Sequence, residues 1–380
     1  MKELGIYIHI PFCKKKCDYC DFVSFSRATL KAQDSYIQAL LDEIENAPNV
    51  GEYLVTTIYI GGGTPSYINP EHIQKLMEKI VEIFYVTEKA EVTIEVNPGT
   101  VDDVKLKSYK ASGINRLSIG LQTTNDKMLK KIGRIHTYED FLDTYIEARK
   151  AGFKNINVDL MLALPEQTLD EVMDSAKRIV NLNPEHISIY SLILEEGTPL
   201  YEKAKSGKLK LVDEDIERRM YWETNNLFRR YGYNHYEISN YSKSGYESKH
   251  NVNCWKQEEY IGFGLNAHSY FNGKRYTNTP DIDEYIKNIN AKKYSKNIIV
   301  EEENREKEQI MKEYMMLGLR RIEGVSISEF QRKFATNPLF YFSIQMDALQ
   351  KKELIEVDLD NIKLTKKGLD FANIVFQEFV

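Results

Sequence analysis

The first half of this chain repeats one unit, a short apolar run followed by an amphipathic stretch, and that repeat limits the possible folds more than any other feature. Strand-like runs lie near Gly5–Ile10, Thr56–Gly61, Glu91–Asn97, Ile114–Gly120, Asn155–Leu162 and His186–Ile193, each rich in Ile, Val, Leu or Tyr. Helical patterns fill the gaps at Asp34–Asn46, Pro70–Phe84, Val101–Ser112, Tyr138–Ala151 and Thr168–Asn181. Thr100 and Thr137 stand as caps, and Gly113 and Gly152 as stops. Strands joined by helices pair in parallel through right-handed crossovers. Six such units predict an α/β fold built on an incomplete barrel.

Within the first loop, three of the four cysteines stand together in Cys13-Lys-Lys-Lys-Cys17-Asp-Tyr-Cys20. Three thiolates hold three irons of a [4Fe-4S] cube and leave the fourth iron open to a small ligand. A structural zinc site recruiting His9 or Asp21 is the alternative, but no second ligand pair answers this one. A disulfide framework fits worse, because cysteines are few and one would be left over. Lys14, Lys15 and Lys16 add positive charge that favours thiolates, unless they are only a solvated loop.

In a parallel barrel, binding groups collect where the strands end. The unusual residues of this chain gather there. Gly61-Gly62-Gly63-Thr64-Pro65 follows the second strand, Glu95-Val-Asn97-Pro98 ends the third, Gly120-Leu-Gln122-Thr123 ends the fourth, and Asp159 lies on the fifth. The glycine run lacks the Gly-Lys-Ser/Thr of a phosphate loop. Gly262-Phe-Gly264-Leu-Asn-Ala267 imitates a dinucleotide fingerprint without the βαβ frame one requires.

The CxxxCxxC loop resembles that of the radical S-adenosylmethionine (SAM) proteins. In that resemblance SAM chelates the open iron, and reduction of its sulfonium yields a 5′-deoxyadenosyl radical. Tyr7-Ile-His-Ile-Pro-Phe-Cys, Gly61-Gly-Gly-Thr-Pro, Glu95-Val-Asn-Pro, Ser118-Ile-Gly-Leu-Gln-Thr and Asp159-Leu-Met narrow the likeness. They resemble the oxygen-independent coproporphyrinogen oxidase (HemN) group and its HemW relatives. The resemblance implies a radical-SAM partial (β/α)6, TIM-like barrel. It implies cluster ligation by Cys13, Cys17 and Cys20, with SAM contacts from Tyr7, Gly62, Gly63, Thr64, Glu95, Gln122, Arg134 and Asp159. Phe22 would flank the adenine or the cluster.

Three features separate the two branches of that group. The oxidases resemble longer proteins with an arm before the cysteine loop, whereas Cys13 lies almost at the start here. They tend to carry a further cysteine where this chain has Phe22. Lastly, His250-Asn-Val-Asn-Cys254-Trp255 resembles the HNxxYW motif of the HemW heme chaperones, with Cys254 in place of tyrosine. That motif implies heme binding, with His250 as the axial ligand; Cys254 is either a buried thiol or a further soft ligand, and His268 reads as structural.

The expected function is therefore a heme chaperone that passes heme to an acceptor protein, with an electron donor such as a flavodoxin or ferredoxin. The alternative is oxidative decarboxylation of coproporphyrinogen III. A net charge of −6 with mixed signs offers no extended basic face, so a nucleic-acid partner is not expected. No apolar run approaches the ~18 residues of a membrane span, so membrane contact is expected only through a partner, in a cytoplasmic protein. The expected organisation is a barrel over 1–235, a covering segment of little periodicity over 236–300, and a HemN-type C-terminal domain over 301–380. That last domain is mostly helical and resembles a winged helix.

Overall fold

The computed structural model describes residues 1–48, 50–292 and 298–380. Six parallel strands run side by side in chain order: β1 (Lys2–Ile10), β2 (Tyr53–Gly62), β3 (Val86–Val96), β4 (Arg116–Gln122), β5 (Ile156–Leu162) and β6 (His186–Ser191). Helices α1 (Leu30–Glu45), α2 (Pro70–Ile83), α3 (Asp103–Ala111), α4 (Asp126–Lys131), α5 (Tyr138–Lys150) and α6 (Leu169–Leu182) cross between them.

The pleat sorts the strand side chains into two sets. Ile58, Ile94, Leu117, Ile119, Ile156, Val158 and Ile187 point outward and are buried with Leu40, Ile73, Phe141 and Ile179 in one core. The alternate residues face inward and are polar. Cross-strand pairs place Thr93 beside Arg116, Ser118 beside Asn157, Gly120 beside Asp159, and Asp159 beside Ser188. The interior of an ordinary parallel barrel is filled by branched apolar residues. This interior is a polar chamber instead.

Thr137 and Thr168 cap α5 and α6 in full capping boxes, so both helices start at the threonine. Helix α3 departs from expectation. Asp102, not Thr100, accepts from its first turn, while the Thr100 hydroxyl is drawn away to the Asn97 carbonyl.

The span from 236 to 300 also differs from its reading as a covering segment. It pairs β7 (Asn234–Glu237) and β8 (Asn240–Ser242) onto β6, and adds β9 (Tyr260–Phe263) parallel to β1. β10 (His268–Phe271), β11 (Lys274–Asn278) and β12 (Ile299–Asn304) then continue the sheet to twelve strands. Short strands of Tyr, Asn and Ser carry no clear period, and their neighbours in the sheet select them. Gly262 is packed against the His268 carbonyl and Gly264 against the Tyr36 hydroxyl, so both serve close packing.

Helices α7 (Pro199–Lys205) and α8 (Glu214–Arg230) follow the barrel, and α9 (Lys249–Trp255) crosses its lower end. The C-terminal module has its own core of Met315, Leu319, Phe330, Leu349, Ile362 and Val375. Helices Lys307–Gly318, Ile327–Phe334 and Ser343–Lys351 surround a three-stranded sheet there. The module grips α9, with the Arg320 guanidinium 4.4 Å from the Trp255 ring. No described helix is long and apolar enough to cross a membrane.

Candidate functional site

Cys13, Cys17 and Cys20 line one cavity of about 140 Å³ at the upper end of the barrel. Gly62, Gly63, Thr64, Glu95, Gln122, Arg134, Asp159 and Phe22 share its wall. Nearly all the residues expected from separate stretches of sequence thus meet in one place. The exception is Tyr7. Its side chain lies inside the barrel, donating to His9 Nδ1 at 3.0 Å, and does not reach the cavity wall. His9 Nε2 donates to the Val23 carbonyl at 3.0 Å, which leaves Nδ1 as the acceptor.

Two glycines of the run are dictated by contact. Gly62 has φ +113°, and a Cβ there would lie 2.7 Å from the His9 ring. At Gly63 a Cβ would lie 3.0 Å from Cys13 Sγ. The cysteine loop is pinned from outside by Asp18, whose amide donates to the Ile132 carbonyl at 3.0 Å and whose carboxylate holds Lys203 at 2.6 Å.

A chain of donors leads to the sulfurs. Arg134 Nη2 donates to Asn97 Oδ1 at 2.8 Å, Asn97 Nδ2 to Thr64 Oγ1 at 2.8 Å, and Thr64 Oγ1 to Cys13 Sγ at 3.5 Å. Arg134 Nη1 donates directly to Cys17 Sγ at 3.5 Å, and Nη2 also reaches the Gly120 carbonyl. Donors aimed at sulfur stabilise thiolates. In the cofactor-free protein burial outweighs this effect, raising the Cys13 thiol and pushing Cys20 up to about 11. The lysine charge expected to favour thiolates is the smaller influence; Lys16 instead fastens the Phe22 carbonyl at 2.8 Å.

Among the described residues, no three His, Cys, Asp or Glu side chains converge on a point as ligands of one metal ion do. A cubane does not require that convergence, because each thiolate takes a different iron. Three thiols on one wall, each facing a hydrogen-bond donor, fit such a cluster.

Glu95 accepts from Tyr59 at 2.9 Å and from the Gly62 amide at 3.2 Å. Burial, with Asp159 adding repulsion, still pushes its carboxyl up to about 7. Asp159 is raised as well by burial and is held by Asn157 at 2.6 Å. A cationic ligand between these two carboxyls would restore their charge. Gln122 takes φ +73° and accepts from Tyr190 at 3.1 Å.

His250 lies at the other end of the barrel, on α9. Its ring is 6 % exposed, its Nδ1 meets Thr57 Oγ1 at 3.0 Å, and Tyr59 and Tyr260 pack on it at 5.4 and 6.3 Å. Burial pushes it down to about 4. The next residue, Asn251, lines a compartment of about 450 Å³ below the cysteine loop. A larger cavity of about 1000 Å³ lies beneath α9, between the strand starts and the C-terminal module. Its mixed Lys and Glu lining includes no thiol, so it is remote from the cluster chemistry.

Sequence reasoning missed Tyr59, Arg116, Ser118, Asn157 and Tyr190, all of which line the chamber. Their signal was the period-two polar residues inside apolar strands, as in Arg116-Leu-Ser118-Ile-Gly120.

Comparison with known proteins bears on the family and the fold. Residues 7–179 match the Radical SAM superfamily and residues 306–371 the HemN C-terminal domain. The chain is 37% identical over 379 residues to the heme chaperone HemW of Lactococcus lactis, covering 100% of this chain and 98% of that protein. It is 38% identical to the heme chaperone HemW of Bacillus subtilis, covering 98% of each. Coproporphyrinogen III oxidase (HemN) from Escherichia coli, a radical SAM enzyme, shares the fold with a TM-score of 0.85 and 24% identity. That match covers 100% of this chain and 90% of the other.

Proposed function

Because the chain belongs to the HemW family of radical SAM proteins, we propose that it binds heme and hands it to an acceptor protein. The observation that carries this reading is the likeness to heme chaperones along the whole chain rather than over the barrel alone.

Cys13, Cys17 and Cys20 would hold a [4Fe-4S] cluster, and Glu95, Gln122 and Asp159 would receive SAM beside it. The cluster, when bound, supplies an electron at the SAM sulfonium. Arg134 keeps the cysteine loop and Asn97 in register, and Thr64 turns a hydroxyl toward Cys13. For the heme, His250 offers Nε2 as ligand, since Nδ1 is committed to Thr57. Its ring is packed between Tyr59 and Tyr260.

Anaerobic reconstitution followed by metal analysis, heme titration and an assay with coproporphyrinogen III tests the reading. We expect iron with sulfide, one heme per chain and no decarboxylation. Turnover of coproporphyrinogen, or zinc in place of iron, would sink it. His250→Ala should weaken heme about tenfold or more, about 1.4 kcal/mol, with the cluster absorbance intact. An unchanged titration removes His250 from the heme site.

A further inference from the structure

Arg116, in the wall of the 450 Å³ compartment, is 2 % exposed. Among the described residues its guanidinium has no hydrogen-bond acceptor and no carboxylate at ion-pair distance, and its Nε is buried without a partner. The nearby carboxylates are committed elsewhere. Glu91 accepts from the His250 amide at 3.3 Å, Asp159 from Asn157 and Ser118, and Glu95 from Tyr59 and Gly62.

Of the remaining polar groups around it, Thr93 Oγ1 and Asn240 Oδ1 are also buried without partners, and the others are committed among themselves. Asn157 donates to Asp159 and Ser118 while accepting from His186 at 2.6 Å and Ser188 at 3.1 Å. That leaves one buried cation with unused donors in a cavity wall. Such a charge is costly unless an anion completes it. A guanidinium's planar fork matches a carboxylate, and the Glu95 and Asp159 carboxyls facing the same space disfavour a more highly charged phosphate.

The compartment opens past Phe22 and Ile193, which are 61 % and 69 % exposed. An apolar rim above a buried cation suits a flat apolar ligand that carries an acidic arm. We propose that Arg116 is the receptor for a carboxylate arm of the ligand. Resting on the chaperone reading, the arm is a propionate of heme, inserted into this compartment. The floor helix α9 then contributes Asn251 to the wall of the arm's binding site.

The test compares heme with heme dimethyl ester, titrated into the cluster-reconstituted, SAM-loaded protein and followed in the Soret band. Wild type should prefer the diacid about tenfold or more. Arg116→Gln should abolish the preference, and Arg116→Lys should keep part of it. Asn251→Asp, which places a negative charge in the same compartment, should weaken heme but not the ester. Should Arg116→Gln fail to hold its cluster, Asn251→Asp decides. Unchanged preference in these variants overturns the assignment while leaving the chaperone reading intact. So does a loss confined to SAM affinity, which would give Arg116 to the SAM carboxylate instead. Absence of any heme uptake by wild type overturns the chaperone reading itself, and with it the assignment.

Discussion

The two ends of the barrel each bury an arginine, and the two are treated oppositely. Arg134, at the rim, meets Asn97, the Gly120 carbonyl and Cys17 through its two Nη atoms and leaves only Nε unpartnered, whereas the Arg116 guanidinium, near the floor, has no hydrogen-bond or ion-pair partner among the described residues. A buried cation whose Nη donors find acceptors belongs to the scaffold and positions what surrounds it. An unsaturated one is a cost to folding that a ligand can offset. The rim is thus built before its cofactors arrive, while the floor is incomplete without a ligand.

Neutral isosteres should break the comparison most sharply. Arg134→Met strands the Asn97 and Gly120 acceptors and should destabilise the cofactor-free protein by about 3 kcal/mol. Arg116→Met removes an unpaired charge and should leave stability unchanged or raise it by ~1–2 kcal/mol. Denaturant titration of both variants settles the matter, and equal losses would erase the distinction.

Protonation offers a finer cut. The Glu95 carboxyl is pushed up from 4.5 to about 7, so its contribution is present below pH 4.5 and is lost as pH rises through 7. His250 is pushed down from 6.5 to about 4, so its contribution is present above pH 6.5 and is lost as pH falls through 4. Relative to wild type, Glu95→Gln should gain on the order of 3 kcal/mol between pH 4.5 and 7 in the cofactor-free protein. His250→Asn should gain by a similar amount in the opposite direction, from pH 6.5 down to 4. Stability curves for each variant that run parallel to wild type would show that neither group is held as buried as the structure has it.

How much could be read in advance differs between the same two ends. The rim residues sit in short contiguous runs, Cys13 to Cys20, Gly61 to Thr64 and Glu95 to Asn97, each with local chemistry that one stretch of sequence displays. The floor is assembled from residues far apart. His250 meets Thr57 and Glu91 across more than 150 positions, and no local pattern announces that meeting. Tyr7, expected at the cofactor from its motif, has its hydroxyl on His9 inside the barrel, a partner that the motif does not announce. The span after 236 looked aperiodic because its short strands take their order from neighbours already in the sheet.

By itself, the sequence determined the six strand–helix units and the three thiols at the end of the first strand. Hydrophobic period and covalent spacing are local properties, and they survive without a partner. Only the tertiary structure decided that the barrel interior is polar, that α9 closes it, and that the Nη atoms of one arginine find acceptors while those of the other do not. Those outcomes depend on which side chains the pleat turns inward and on what stands opposite them. That is a property of strand register across the sheet, and no single stretch of chain contains it.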